Sequence, residues 1–361
     1  MPDDGSGAIC RLDVRVSNES FASLCQGALD VIGMVKNWKR DQIDFELFKD
    51  GITNHLLRCY LRASPDQAVL IRVYGEKTEL FIDRDQEVRN MRAMCGAGLC
   101  APLHCAFANG LCYGYSPGEV LDTETVRDPD IARLIARRLA RMHGVRSGSN
   151  GVVPRPSLFP VLHKYLGLVP HSFTDPLKDE RLRSCIPSRE ELEAEVETLK
   201  EHLVPLDSPV VFSHNDLLLK NVIYNKEKHE VTFIDYEYAD YNYQALDIGN
   251  HFCEFAGVDN FDPQLYPDKE FQLVWLREYL EAWRQSEPIT DRDVERLYVQ
   301  VNKFALAAHL FWGVWALIQS AHSTLDFDFL GYAKERLDEY FARKDEFLSL
   351  ELDPESGENH R

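Results

Sequence analysis

Strand-like apolar runs occupy much of the first third of the chain, and apolar positions follow a helical period along most of the rest. Residues 20–37 have the spacing of an amphipathic helix. Residues 43–48, 55–61 and 68–74 are strand-like runs, and residues 83–95 return to a helical period. This region therefore predicts several strands with a helix among them.

A hairpin signal stands near the end of this region. Residues 103–107 and 111–115 are strand-like, and Asn109-Gly110 lies between them. The dipeptide Asn-Gly is a strong hairpin signal. The sequence therefore predicts one more antiparallel pair of strands.

Helical periodicity dominates from about residue 122 onward. Residues 129–143 place their apolar side chains on one face, residues 189–203 form another helical segment, and residues 243–347 are nearly all helical. Residues 146–160 are rich in Gly, Ser and Pro and predict a loop, and residues 210–235 predict a small strand-loop-strand insert. The order of elements predicts an α+β fold with a β-rich lobe at residues 1–117 and a mostly helical lobe at residues 118–361.

Composition and charge narrow the classes of function. The apolar content of 45% is that of an ordinary folded protein. The formal net charge of −19 disfavours nucleic acid and anionic lipid as partners, because both need a basic surface. The N-terminus lacks the features of a signal peptide, and the apolar stretch at 304–318 is expected to be too short to span a bilayer. We therefore expect a cytoplasmic protein without stable membrane insertion.

The nine cysteines do not predict a metal site. Cys95, Cys100, Cys105 and Cys112 are clustered, but their spacings fit no zinc pattern, and no Cys-x-x-Cys pair occurs. Scattered reduced thiols are expected instead.

Three polar residues of the 210–235 insert carry the strongest chemical signal. Asp216 follows a short strand within Ser213-His214-Asn215-Asp216, Asn221 stands five positions later, and Asp235 ends the apolar run 231–234. Each residue alone could cap a turn. The joint spacing is typical of a kinase-like phosphotransferase.

The chemistry of phosphoryl transfer assigns a role to each of these residues. Asp216 is the candidate general base for the attacking hydroxyl. Asn221 and Asp235 offer oxygen ligands to Mg²⁺, which would offset the charge of the ATP phosphates. His214 is expected to orient the loop rather than take part in the chemistry. The predicted fold is then protein-kinase-like.

The first lobe offers candidate nucleotide contacts. Arg72 is the one charged residue in an apolar strand, and Glu87 lies in the helix that follows, so an internal ion pair is expected. The alternative is an exposed strand residue with a surface partner. No Gly-x-Gly-x-x-Gly occurs, and the turn at Gly51-Ile-Thr-Asn54 takes its place. The expected nucleotide contacts are Gly51, Thr53, Asn54, Arg72, Glu87 and Tyr115.

Acids and aromatic residues gather after Asp235. Asp247 stands where it could anchor the catalytic loop, and Glu237 and Glu254 are carboxylates expected near the acceptor. Trp312 and Trp315 lie on one helical face. Such a pair usually belongs to a core, and the alternative is a wall that holds a cation by its π-faces.

Several segments resemble the choline/ethanolamine kinase family. They are Asp50-Gly-Ile-Thr-Asn54, Leu70-Ile-Arg-Val-Tyr-Gly75, Ser213-His-Asn-Asp-Leu-Leu-Leu-Lys-Asn221, Ile234-Asp-Tyr-Glu-Tyr238, the stretch 242–254 and Phe311-Trp-Gly-Val-Trp315. The resemblance covers about residues 20–350. It implies a kinase-like fold, ATP, Mg²⁺ and an amino-alcohol acceptor, and it favours the aromatic wall over the core alternative. The positions that match the acceptor site are Asp216, Tyr238, Glu254, Trp312, Trp315, Phe327 and Tyr332.

Within this family the chain looks most similar to the ethanolamine branch. Leu218 stands where choline kinases carry Gln, and Phe255 stands where they carry Trp. The resemblance therefore implies phosphorylation of ethanolamine, the first step of the CDP-ethanolamine route to phosphatidylethanolamine. A choline or dual-specificity kinase remains the alternative. More distant alternatives are an antibiotic or sugar phosphotransferase and an inactive binding module. Family members are often dimeric, so a homodimer is also left open.

Overall fold

The computed structural model describes residues 9–48, 54–75, 82–146, 153–323 and 325–352. The chain divides into two compact units. The sequence predicts one continuous segment for each lobe.

The division between the units is not a single cut in the chain. The first unit contains residues up to Glu119 together with Asn225–Glu227 and Thr232–Glu237, and the second contains the remainder. The short segment that carries Asp235 and Glu237 therefore belongs to the first unit, although it lies far along the chain.

The first unit is built on a mixed sheet. Its strands are β1 (Arg11–Leu12), β2 (Ile43–Phe48), β3 (Asn54–Leu61), β4 (Ser64–Tyr74), β5 (Leu103–Phe107) and β6 (Gly110–Gly114), and its helices are α1 (Phe21–Val35) and α2 (Arg84–Gly96). The strand order is β1-β5-β6-β4-β3-β2. The β1–β5 pair is parallel and the other pairs are antiparallel.

The core of this unit is formed by apolar side chains at alternate positions of the strands and on one face of α1. The buried face of α1 packs on alternate residues of β3 and β4. Ser20 caps α1 in a reciprocal box with Ser23. The predicted hairpin joins β5 and β6, and a Cβ on Gly110 would lie 2.1 Å from the carbonyl oxygen of Arg72. Glycine is thus required where the hairpin passes the strand that carries Arg72.

The second unit is mostly helical. Its helices are α3 (Pro129–His143), α4 (Leu158–Leu166), α5 (Pro176–Cys185), α6 (Arg189–Leu203), α7 (Gln244–Cys253), α8 (Lys269–Arg284), α9 (Asp291–His322) and α10 (Phe329–Leu348). The later strands of the chain are β7 (Glu119–Val120), β8 (Val210–Ser213), β9 (Val222–Asn225), β10 (Glu230–Phe233) and β11 (Asp240–Tyr243). β8 and β11 form an antiparallel ribbon, and β7, β9 and β10 form a sheet in the order β10-β9-β7.

Helix α9 is the central helix of the second unit. Of the described helices, only α9 has the length and apolar composition that a membrane span needs, and 89% of its apolar window is buried within the protein. The prediction that this stretch is too short was therefore wrong on length, because the helix extends beyond residues 304–318 on both sides. Gly249 of α7 lies so close to α9 that a Cβ there would be 2.8 Å from the Val301 carbonyl oxygen. The apolar surface of α9 is used for helix packing.

Two details of the sequence-based prediction need correction. α4 begins at Leu158, inside the region predicted as a loop. Pro160 suggested a loop, but proline is tolerated in the first turn of a helix, where its missing N–H has no intrahelical acceptor. The strands β1 and β11 were missed because two to four residues are too few to show a period. All nine cysteines are free thiols, as expected.

Candidate active site

The loop that follows β8 is anchored by hydrogen bonds to one buried acid. Asp247 of α7 is fully buried, and its two oxygens accept from the backbone N–H groups of His214 and Asn215, each at 2.7 Å. Asn215 has a φ of +64°, a left-handed conformation that asparagine adopts more readily than most residues. The predicted anchoring role of Asp247 is confirmed, and His214 is itself completely buried, which suits a structural role.

A histidine continues this anchor into the core. His143 Nε2 lies 2.9 Å from Asp247 Oδ2, and its Nδ1 lies 2.6 Å from the Tyr279 hydroxyl. Burial alone would raise the pKa of Asp247, but the hydrogen bond and charge of His143 and the loop N–H groups lower it below its ordinary value. The acid is therefore ionised and hydrogen-bonded on both oxygens.

Replacing Asp247 by asparagine should destabilise the fold, since an amide cannot accept from all three donors. We expect the free energy of unfolding to fall by about 2–4 kcal/mol, as buried donors lose their partner. Folding lowers the pKa of Asp247, so the ionised carboxylate stabilises the protein above the pKa of the unfolded state, and this stabilisation is lost on acidification. The difference in free energy of unfolding between D247N and wild type, measured in urea, should therefore shrink as the pH falls below about 4. Asp345→Asn on the exposed surface of α10 is the control. Equal stability of D247N and wild type at pH 7 would contradict the anchor.

Three further hydrogen bonds fix the loop between Asn215 and Asn221. The Asn215 side chain donates to the Tyr238 carbonyl oxygen at 2.9 Å and accepts from Asn242 at 3.0 Å. Burial lowers the pKa of His251 to about 4, so its ring is neutral, and its Nδ1–H donates to the Leu217 carbonyl oxygen at 3.0 Å. The backbone that carries Asp216 is thus fixed on both sides.

Asp216 and Asn221 lie side by side on this loop. The Asn221 amide nitrogen is 2.8 Å from the backbone oxygen of Asp216 and 3.3 Å from its Oδ2. Asn221 is buried, and Asp216 is partly exposed. The amide orientation leaves the Asn221 carbonyl oxygen as the atom that would meet a cation, while the Asp216 carboxylate remains accessible to an acceptor.

An aromatic cluster of the second unit contains every predicted aromatic acceptor residue. Its members are Tyr238, Trp312, Trp315, Phe327, Phe329 and Tyr332. The rings of Trp312 and Trp315 meet edge to face at 5.4 Å. Trp315 Nε1 donates to the Tyr238 hydroxyl at 3.0 Å, and Trp312 Nε1 donates to Asn250 at 2.8 Å. The rings are therefore held in fixed orientations, which preorganises their π-faces.

A buried carboxylate lies near this aromatic cluster. Glu254 follows α7, is 4% exposed, and accepts from Arg336 Nη1 at 2.8 Å. Burial raises the pKa of the Tyr332 phenol, the charge of Arg336 opposes that shift, and the charges of Glu254 and Asp216 add to it. The Arg336 guanidinium lies 5.8 Å from the centroid of the Tyr332 ring, so it links the Glu254 carboxylate to the aromatic cluster.

The first unit contains a separate cluster of charges around Arg72. Arg72 is buried, pairs with Glu87, and donates to Asp235 at 2.7 Å and to Glu237 at 2.8 Å. Arg84 adds contacts to Glu87 at 2.9 Å and to Glu237 at 3.1 Å. The predicted internal pair is confirmed, and the alternative of an exposed arginine is wrong.

Three carboxylates in this cluster face two arginines. The oxygens of Glu87, Asp235 and Glu237 lie within 4.8 Å of one another, and no other group of at least three potential metal ligands occurs among the described residues. Burial, followed by the charge of Asp235, raises the pKa of Glu237. Asp235 has a φ of +64°, which is unusual for a residue other than glycine. Three carboxylates beside two guanidinium groups make this cluster a candidate cation site.

Comparison with known proteins decides the family. The family model for choline/ethanolamine kinase matches residues 45–341. The chain belongs to the choline/ethanolamine kinase family. It is therefore a phosphotransferase with ATP as a substrate, and the predicted kinase-like α+β fold is confirmed.

Individual members of the family are similar over nearly the whole chain. Ethanolamine kinase 1 of Mus musculus is 47% identical over 353 residues, which cover 96% of this chain and 97% of that protein. Ethanolamine kinase 2 of Rattus norvegicus is 51% identical over 330 residues, which cover 90% of this chain and 83% of that protein. The solved structure of Plasmodium vivax ethanolamine kinase is 27% identical with a TM-score of 0.80 and covers 90% of each chain.

Some predicted nucleotide contacts of the family stay predictions. Gly51 and Thr53 lie outside the described residues, and Asn54 begins β3. The Tyr115 ring lies 4.3 Å from the Arg58 guanidinium.

Sequence reasoning missed two arginines. Arg84 had no signal beyond its position at the start of α2, and Arg336 stands at a helical position four residues after Tyr332. An i+4 spacing could have placed Arg336 on the same face as Tyr332. Glu237, expected near the acceptor, bonds to Arg72 and Arg84 instead.

Proposed function

We propose that this protein transfers the γ-phosphoryl group of ATP to the hydroxyl of ethanolamine, giving phosphoethanolamine and ADP. The observation that carries the proposal is the 47% identity to an ethanolamine kinase across 96% of this chain and 97% of the relative. The geometry of the second unit supports it, since the loop that carries Asp216 is anchored by Asp247 and Arg336 links the buried Glu254 carboxylate to Tyr332 of the aromatic cluster.

The acceptor would be held by its ammonium group. A primary ammonium donates hydrogen bonds, so it needs a carboxylate or carbonyl partner as well as apolar walls. Glu254 offers that carboxylate, and the faces of Trp312 and Trp315 offer cation–π contact. Burial strengthens both interactions because little water competes with them.

Asp216 would then receive the proton of the attacking hydroxyl. The anchored loop keeps its carboxylate in one place, which is the main contribution a protein can make to phosphoryl transfer beyond charge stabilisation. The Asn221 side-chain amide donates to the backbone oxygen of Asp216 and so fixes the loop there. Proton removal and alignment of the hydroxyl are thus assigned to one side chain.

Asn221 and Asp235 have the right donor atoms for Mg²⁺. A hard cation prefers carboxylate and amide oxygens, and both residues supply them. The amide nitrogen of Asn221 is already engaged by Asp216, while Arg72 engages Oδ1 of Asp235. Bound magnesium would offset phosphate charge during transfer. Arg72 would hold the Asp235 carboxylate in place.

A choline kinase is the second candidate. The aromatic cluster would suit a trimethylammonium group, which cannot donate hydrogen bonds and is held by ring faces. Glu254 favours ethanolamine, because a charge-assisted hydrogen bond is available only to a group that carries N–H.

A coupled ADP-release assay across several acceptors tests this choice. We expect kcat/KM for ethanolamine to exceed that for choline by about 10-fold or more, the value of one charge-assisted hydrogen bond. N-methylated ethanolamines should fall between the two, and an aminoglycoside should give no turnover. A preference for choline would establish the second candidate. ADP release with none of these acceptors would contradict both.

A further inference from the structure

Arg336 is a buried cation with one strong partner. Its side chain is 1% exposed, and Nη1 donates to Glu254 Oε1 at 2.8 Å. Among the described residues, Nε and Nη2 have no hydrogen-bond partner, and both atoms are away from solvent. The guanidinium also lies 5.8 Å from the Tyr332 ring centroid.

Such an arrangement is a poor way to stabilise a fold. Removing an arginine from water is costly, and each buried N–H without an acceptor adds to that cost. A buried ion pair can often be replaced by apolar side chains without loss of stability. The position of Arg336 therefore calls for a reason other than stability.

The neighbours of Arg336 supply that reason. Glu254 is the buried carboxylate beside the aromatic cluster, and Arg336 and Tyr332 are one helical turn apart on α10. A buried carboxylate without a cationic partner would be free to change its rotamer and would lack a compensating charge. With one oxygen bound to Arg336, the charge of the carboxylate is compensated, and its other oxygen faces a fixed direction.

We propose that Arg336 is a positioning residue that fixes the Glu254 carboxylate for the primary ammonium group of the acceptor. The inference rests on the proposed function and deepens it, since it assigns the selection of a primary over a quaternary ammonium to this pair. Hydrogen bonds depend on direction, so ethanolamine loses more than choline when the carboxylate is free to move.

A double-mutant cycle isolates this role. The proteins are wild type, Glu254→Gln, Arg336→Met and the double variant, each assayed with ethanolamine and choline. Arg336→Met should raise KM for ethanolamine by about 10-fold or more and leave kcat within about threefold, because binding rather than chemistry is affected. The ratio of ethanolamine to choline kcat/KM should fall by about tenfold. KM for ATP should not change.

The decisive comparison is made in the Glu254→Gln background. If Arg336 acts through Glu254, the double variant has the kinetics of Glu254→Gln alone, because the two effects are not additive. This comparison remains valid if Arg336→Met alone folds poorly, since the double variant carries no buried unpaired charge. Arg336→Lys, which keeps the charge but loses the planar fork, should restore part of the ethanolamine KM.

Lys344→Met is the matched control. Lys344 lies on the same helix as Arg336 but pairs with Glu195, at 2.5 Å, rather than with Glu254. Its variant should keep wild-type kinetics. Additive effects of Glu254→Gln and Arg336→Met, or an unchanged selectivity ratio in Arg336→Met, would overturn the inference. If wild type itself does not phosphorylate ethanolamine, the proposed function fails instead.

Discussion

Asp216→Asn should lower kcat by about 10²–10⁴-fold, the usual contribution of a positioned general base. The amide keeps the size of the side chain but cannot accept the hydroxyl proton. The backbone oxygen that Asn221 binds is unchanged, so the loop should keep its conformation. Steady-state ADP release with ethanolamine and MgATP measures the effect, and thermal unfolding should give the wild-type midpoint.

Asp207→Asn is the matched control for Asp216. Asp207 is an exposed carboxylate in the same unit, just before β8, with a φ of +52° that asparagine also tolerates. Its variant should keep full activity. Wild-type turnover by D216N would mean that another group removes the proton.

Asp235→Asn should lower kcat by about 100-fold or more and raise the Mg²⁺ concentration needed for half-maximal activity, since an anionic ligand is lost. The fold should tolerate the change, because Arg72 keeps its bonds to Glu87 and Glu237. Magnesium titration of the initial rate separates a weakened metal site from a general loss of activity. Chelation of magnesium should abolish turnover in both proteins.

The control for Asp235 lies on the same unit. Glu46 of β2 is an exposed carboxylate that pairs with Arg58 at 2.9 Å, so Glu46→Gln removes a negative charge without touching the Arg72 cluster. Its magnesium dependence should equal that of wild type. An unchanged magnesium dependence in D235N would remove Asp235 from the metal site.

The fold could be predicted well wherever apolar residues repeat over many positions. The strand-like runs predicted β2 and β5 within their observed bounds, and the helical period predicted α3 and α6. Short strands have too few residues to show a period. The assignment of 232–237 to the first unit depends on contacts distant in sequence, which local patterns do not encode.

Part of the candidate site could be predicted from the sequence: Asp247 was expected as the loop anchor, and it binds the loop N–H groups. The roles of Asp216, Asn221 and Asp235 in phosphoryl transfer stay predictions. Arg336 could not be found in this way, because a single arginine on an amphipathic helix is usually exposed. Only the structure shows that it is buried against Glu254. The cytoplasmic location and a homodimer stay predictions.

A single-turnover experiment on Asp216→Asn tests the central claim that Asp216 acts in the transfer step. Enzyme in excess over labelled MgATP is mixed with ethanolamine, and phosphoethanolamine is followed over time, while calorimetry measures the binding of both substrates. The account predicts Kd values within about threefold of wild type and transfer slowed by about 100-fold or more. Transfer at the wild-type rate, or a slowed rate that saturating ethanolamine restores to the wild-type value, would contradict it.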